Sequence, residues 1–120
     1  MKAISTNTLT LTFDALIAVR FLLPEEGGLR HDIVSVLPDG QPIPFGCPLF
    51  VDDQWFDCRV MEEKTRFKLG EQYTLRIKFH SPDLALPHLA EGKKVELWGG
   101  RVIASGVVLS VAPRSSEPCR

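Results

Sequence analysis

"ELWGGRVIASGVV", residues 96 to 108, starts like a strand, passes through two adjacent glycines and continues as a small-residue, valine-ended stretch behind Arg101. Two chemistries suit such a stretch. A glycine pair beside a guanidinium can present backbone amides to an anion. It can also turn a hairpin, because glycine accepts positive φ at little cost. The segments on either side decide between them. Residues 95 to 98 and 101 to 111 have the length and β-branched content of two strands, so Gly99 and Gly100 read as the turn of a final hairpin.

The same two-residue period recurs toward the N-terminus. Leu9, Leu11, Phe13, Ala15, Ile17, Val19, Phe21 and Leu23 occupy successive odd positions, while Thr8, Thr10, Thr12, Asp14 and Arg20 mark the other face. At helical spacing these apolar residues would spiral around the axis, so a long strand that bends midway is expected. Pro24, Gly27 and Gly28 make a turn, and residues 29 to 37 are expected to run back as a second strand. Pro38-Asp39-Gly40 closes it. The following prolines, Pro42, Pro44 and Pro48, belong to a loop that enters a strand near residues 49 to 51.

After an Asp52-Asp53 turn, Phe56, Cys58 and Val60 alternate with Asp57 and Arg59. Residues 62 to 68 are charged and loop-like. Tyr73, Leu75, Ile77 and Phe79 alternate with Gln72, Thr74, Arg76, Lys78 and His80, the clearest strand pattern of the chain. Residues 84 to 89 are apolar but broken by Pro87, which fits a packed crossover or a single helical turn. About six or seven short strands without a long amphipathic helix predict an all-β antiparallel sandwich or closed barrel. Closure would remove strand edges that otherwise invite aggregation. Phe13, Ile17, Val19, Leu75, Ile77 and Val107 are the expected core. The expected division is a single domain over residues 1 to 112 and a flexible tail over 113 to 120.

At 120 residues the chain suits one compact domain, and its 44% hydrophobic and 24% charged content is that of a globular protein. A formal net charge of -1 provides no global field for nucleic acid, so any such contact needs a local patch. Cys47, Cys58 and Cys119 form no CxxC pair and suggest reduced thiols in the cytoplasm. The apolar stretch near residues 16 to 23 is cut by Arg20, so neither a signal peptide nor a membrane span is expected.

The order of landmarks resembles the C-terminal barrel domain, domain III, of translation elongation factor Tu and its relatives. In that family a strand leads to an acidic-Gly-Gly turn and Arg-His, as in "FDALIAVRFLLPEEGGLRH", where Leu29 is an extra residue. A Gly-x-x-Pro loop entering a strand is resembled by "FGCPLFV", with Gly46 and Pro48 one residue closer. A Pro-Gly-Asp-like turn before a strand ending in His-Pro is resembled by "KLGEQYTLRIKFHSP", and the family's terminal glycine-rich strand by "LWGGRVIASGVV". Trp98 stands where the family tends to carry a charge, and Ala104 replaces the first glycine of its terminal pair. The resemblance implies a six-stranded barrel that works by surface contact, with a protein partner and a tRNA backbone among its contacts. Arg30 and His31 match the pair that touches tRNA in the family.

The sequence holds no GxxxxGK[ST] loop to cradle a nucleotide phosphate, so nucleotide binding and GTPase activity are not expected, and no cofactor is called for. Beside the functional reading of each candidate stands a plainer one. Gly99, Gly100 and Arg101 are equally a hairpin turn and a solvated cation, and Gly27, Gly28 and Gly106 are expected to be architectural. Arg30 and His31 are flanked by Glu25, Glu26 and Asp32, which lower the local positive charge. Arg76, Lys78 and His80 share one side of a strand, the ordinary place for a solvated polar face. A metal site from Cys47, Cys58, His31, His80 and His88 lacks paired ligand spacing, and no nucleophile-base pair suggests catalysis. The expectation is a non-catalytic module that binds a protein partner, with weak contact to tRNA or ribosomal RNA as the alternative.

Overall fold

A computed structural model describes residues 13–34, 36–41, 45–62 and 65–111. Six antiparallel strands close into a barrel: β1 (Ala15–Phe21), β3 (Phe45–Val51), β4 (Gln54–Val60), β6 (Gln72–Phe79), β7 (Lys94–Trp98) and β8 (Val102–Val111). Their order around the wall is β1-β6-β4-β3-β7-β8, with β8 returning to β1. The two shorter strands, β2 (Ile33–Val34) and β5 (Arg66–Phe67), pair with each other in a separate sheet. A short helix α1 (Pro82–Ala85) and a 3-10 turn at Leu86–His88 link β6 to β7.

Alternation sets the inside. Ala15, Ile17, Val19 and Phe21 on β1 meet Leu75, Ile77 and Phe79 of β6, Cys58 and Val60 of β4, Leu49 and Val51 of β3, Val95 and Leu97 of β7, and Ala104 and Val108 of β8 in one buried cluster. At one end Phe67 plugs the barrel, its ring centroid 5.6 Å from Phe21, 5.3 Å from Phe45 and 5.2 Å from Tyr73. Ala85 and Leu89 of the β6-β7 connection join the same core. The β3-β4 hairpin turns on Asp52 and Asp53, both at positive φ (53° and 61°), the geometry that matches the twist of paired strands. Asp52 accepts from Lys93 Nζ at 2.6 Å and lies 3.2 Å from His88 Nδ1, tying this turn to the β6-β7 connection.

Several expectations need correction: Pro48, expected in a loop entering a strand at residues 49 to 51, lies within β3 opposite Asp57. Residues 29 to 37 do not form a barrel strand: among those described, the strand is Ile33–Val34, which pairs with Arg66–Phe67 outside the barrel sheet. The chain is diverted by the 3-10 turn Pro24–Glu26, ended by Gly27 at φ +93°, and by Asp32, whose carboxylate accepts from the Leu69 N–H and from Arg66. Residues 66 and 67, expected in a loop, supply the buried plug. Val107 is only half-buried and Val108 takes the core position, because β8 carries an extra residue, Leu109, opposite the step from Leu16 to Ile17. Phe13 is also half-buried rather than fully inside. The N-terminal half of the expected long first strand and the expected tail, residues 113 to 120, lie outside the described residues.

Gly106 sits on β8 opposite Val19, and a Cβ there would overlap the Ala18 carbonyl group and the Val19 Cα. The β1-β8 closure therefore depends on the missing side chain. Among the described residues no helix is long and apolar enough to cross a membrane.

Candidate functional site

The alternation that fills the core also builds the outer wall. On the hairpin of β3 and β4 the outward pairs are Phe50 with Trp55, Pro48 with Asp57 and Gly46 with Arg59. The next strand sets Lys78 of β6 directly opposite Arg59. Two cations thus face each other across a ladder, an arrangement that costs stability unless a counter-charge is supplied. Neither forms an ion pair among the described residues, and His80 lies beyond them on the same side. With Gly46, Pro48, Asp57 and Met61 these side chains line an open groove of about 740 Å³.

Further along the same outer face of the β3-β4 hairpin, two positions beyond the Pro48-Asp57 pair, lies an aromatic group. The Phe50 and Trp55 rings are 4.6 Å apart, and Trp55 meets Trp98 edge-on at 4.6 Å. Trp55 remains 49% exposed, which is unusual for so large an apolar surface. The indole N–H of Trp98 is buried with no hydrogen-bond partner among the described residues. One face therefore runs from aromatic rings to unpaired cations.

No model of a protein family matches this chain, and no curated protein matches it significantly.

The sequence candidates are not brought together at one place. Arg30 and His31 are exposed on the loop after Gly28 and make no ion pair among the described residues. Arg101 is exposed, with Nη1 3.5 Å from the Gly28 carbonyl oxygen, so the Gly99-Gly100 turn lies beside the Gly27-Gly28 turn. Gly28 is buried, and a Cβ there would overlap the Leu22 carbonyl, while Gly100 has φ +82°. Arg76 is engaged by Glu62, which accepts its backbone N–H at 2.7 Å and its Nε at 3.2 Å. Of the expected β6 cations, only Lys78 and His80 belong to the groove.

Arg59 was not among the sequence candidates, although its alternation already marked it as outward. What the sequence lacks is the register that places it against Lys78, since the connection over residues 61 to 71 does not itself fix which residues of β4 and β6 pair. Among the described residues no group of three or more His, Cys, Asp or Glu side chains is placed to hold a metal ion.

Proposed function

We propose that this barrel is a non-catalytic binding module, related in design to the third domain of elongation factor Tu, which docks an acidic segment of a partner protein along the groove of β3, β4 and β6. The observation that carries this reading is the Arg59-Lys78 juxtaposition. Two neighbouring cations without a described counter-charge are best explained by a carboxylate-bearing ligand that supplies it. Trp55, with Phe50 and Trp98 behind it, offers the rigid aromatic anchor that protein interfaces favour. Asp57 lines the same groove, so the ligand's carboxylates would sit at the Arg59-Lys78 end, away from it.

The family resemblance supports surface recognition, and the order of its landmarks along the chain is its basis. The RNA alternative rests on Arg30, His31, Arg101 and the Arg76-Lys78 face; of these, Lys78 lies in the groove, Arg76 is held by Glu62, and Arg30, His31 and Arg101 are not among the groove's lining residues. Recovery of partners on immobilised protein from the native host, with and without nuclease, separates the two. A protein retained after nuclease and released by Arg59→Glu/Lys78→Glu supports the docking reading. RNA recovered by both the wild type and that variant refutes it.

A further inference from the structure

Cys47 and Cys58 occupy directly opposed positions on β3 and β4. Opposed residues of an antiparallel pair have Cα atoms roughly 4.5 to 5.5 Å apart, inside the span a disulfide bridges. The alternation that points Leu49 and Val51, Phe56 and Val60 toward the core points both thiols the same way, and the Cys58 sulfur lies 3.3 Å from the Cys47 carbonyl oxygen. The two cysteines differ in access. Cys58 is buried, whereas Cys47 is half-exposed and both border the open groove. The β3-β7 ladder pairs Leu49 with Leu97 and Phe50 with Glu96 and does not include Cys47.

We infer that Cys47 and Cys58 form a peroxide-oxidisable dithiol, in which the accessible Cys47 sulfur reacts first with a hydroperoxide and the buried Cys58 resolves it to a cross-strand disulfide. The Cys47 thiolate attacks one oxygen of hydrogen peroxide, the O–O bond breaks, and the departing hydroxide takes up a proton to become water. Cys47 is then a sulfenic acid, oxidised by two electrons. Cys58 attacks that sulfur, the S–S bond forms and the S–O bond breaks, and the leaving hydroxide combines with the Cys58 proton as a second water.

The surroundings favour this order. Hydrogen bonding with the Cys58 side chain, aided by the Trp98 backbone N–H, holds Cys47 below the usual thiol range, against burial and the nearby Asp57. The same partner, together with burial, pushes Cys58 far up. The inference is independent of any partner protein.

The test uses the 120-residue chain carrying Cys119→Ser, treated with stoichiometric hydrogen peroxide, then alkylated under denaturing conditions and mapped by peptide mass. The expected product is a Cys47-Cys58 linked peptide that dithiothreitol reverses. In the Cys58→Ser chain, Cys47 should be labelled by dimedone, and in the Cys47→Ser chain, Cys58 should lose its thiol at least about tenfold more slowly. Urea unfolding of each variant establishes that it is folded, and the linkage in the otherwise wild-type barrel does not depend on either serine variant. Full alkylation of both thiols after peroxide, or equal rates for the two single-cysteine chains, overturns the inference.

Discussion

Glu62 holds Arg76 by both its backbone and its side chain, accepting the amide N–H at 2.7 Å and Nε at 3.2 Å, with side chains only 19% and 26% exposed. An arginine bound in this way is lost to a phosphate ligand, because each new contact would have to replace a charge-assisted bond already made. Arg20 with Glu26, Arg66 with Asp32 and Lys93 with Asp52 are likewise paired. The isolated protein should therefore bind tRNA weakly, with an affinity that collapses between low and physiological salt. Arg76→Ala should leave that weak binding unchanged, and Arg30→Ala should reduce it at low salt. Anisotropy titration of labelled tRNA at both salts measures this. Submicromolar binding that persists at physiological salt and vanishes in Arg30→Ala would establish the RNA reading.

Packing around the extra residue in β8 gives a sharper test of the fold. Val108 is buried opposite Ile17, and its neighbour Val107 faces the half-exposed side opposite Ala18. Val108→Ala should cost about 2 kcal/mol, from lost burial and the space left behind, and Val107→Ala clearly less. Ile77→Ala, at a fully buried β6 position, should cost about 2 to 5 kcal/mol. Urea denaturation of the three variants measures the differences, and equal costs for the two valines would contradict the register.

The contrast between those valines shows where the sequence is legible. β1, β4 and β6 alternate cleanly, so Ile17, Cys58 and Leu75 declare their face, and the β7-β8 hairpin declares itself through Gly99 and Gly100. In β8 two adjacent valines make either phase plausible, and only the partner strand decides. Residues 29 to 37 misled for a different reason: Ile33 and Val34 have strand chemistry, but Gly27, Gly28 and the Asp32 contacts send them outside the wall. The site was legible only in part, since Lys78 and Arg59 each read as outward while their juxtaposition and the Cys47-Cys58 pairing depend on cross-strand register.

Acid should loosen the loops that carboxylates fasten. Asp32 is held below its ordinary value of 3.8 by the Leu69 N–H and then by Arg66, and Asp52 below the same value by Lys93 and His88; Glu26 is held below its ordinary value of 4.5 by the Leu23 N–H and Arg20. A carboxylate with a depressed folded-state pKa contributes stability that is fully present above its unfolded value and disappears as pH falls through the lower folded one. Stability should therefore decline as the pH drops below about 4. Asp32→Asn and Asp52→Asn should each lower stability at neutral pH and flatten the acid limb. Urea midpoints across pH 2 to 7 check this, and an unchanged acid slope in both variants would refute it.

Gly106 and Gly46 lie on strands of the same barrel, yet alanine should act in opposite ways at the two positions. At Gly106 the new methyl would enter the space of the Ala18 carbonyl group and the Val19 Cα, and backbone on a paired strand cannot move aside without opening the β1-β8 closure. Forcing volume into packed structure costs roughly 3 kcal/mol or more when backbone is the obstacle, so Gly106→Ala should unfold or severely destabilise the barrel. At Gly46 a methyl would meet the Cys58 carbonyl oxygen at 3.4 Å, an ordinary contact, on an exposed stretch of β3 without positive φ. There alanine removes unfolded-state freedom at little steric cost, and Gly46→Ala should fall between neutral and about 0.5 kcal/mol stabilising. Paired urea melts followed by circular dichroism decide the matter: a folded Gly106→Ala with wild-type stability would mean that β8 does not close against β1 in this register.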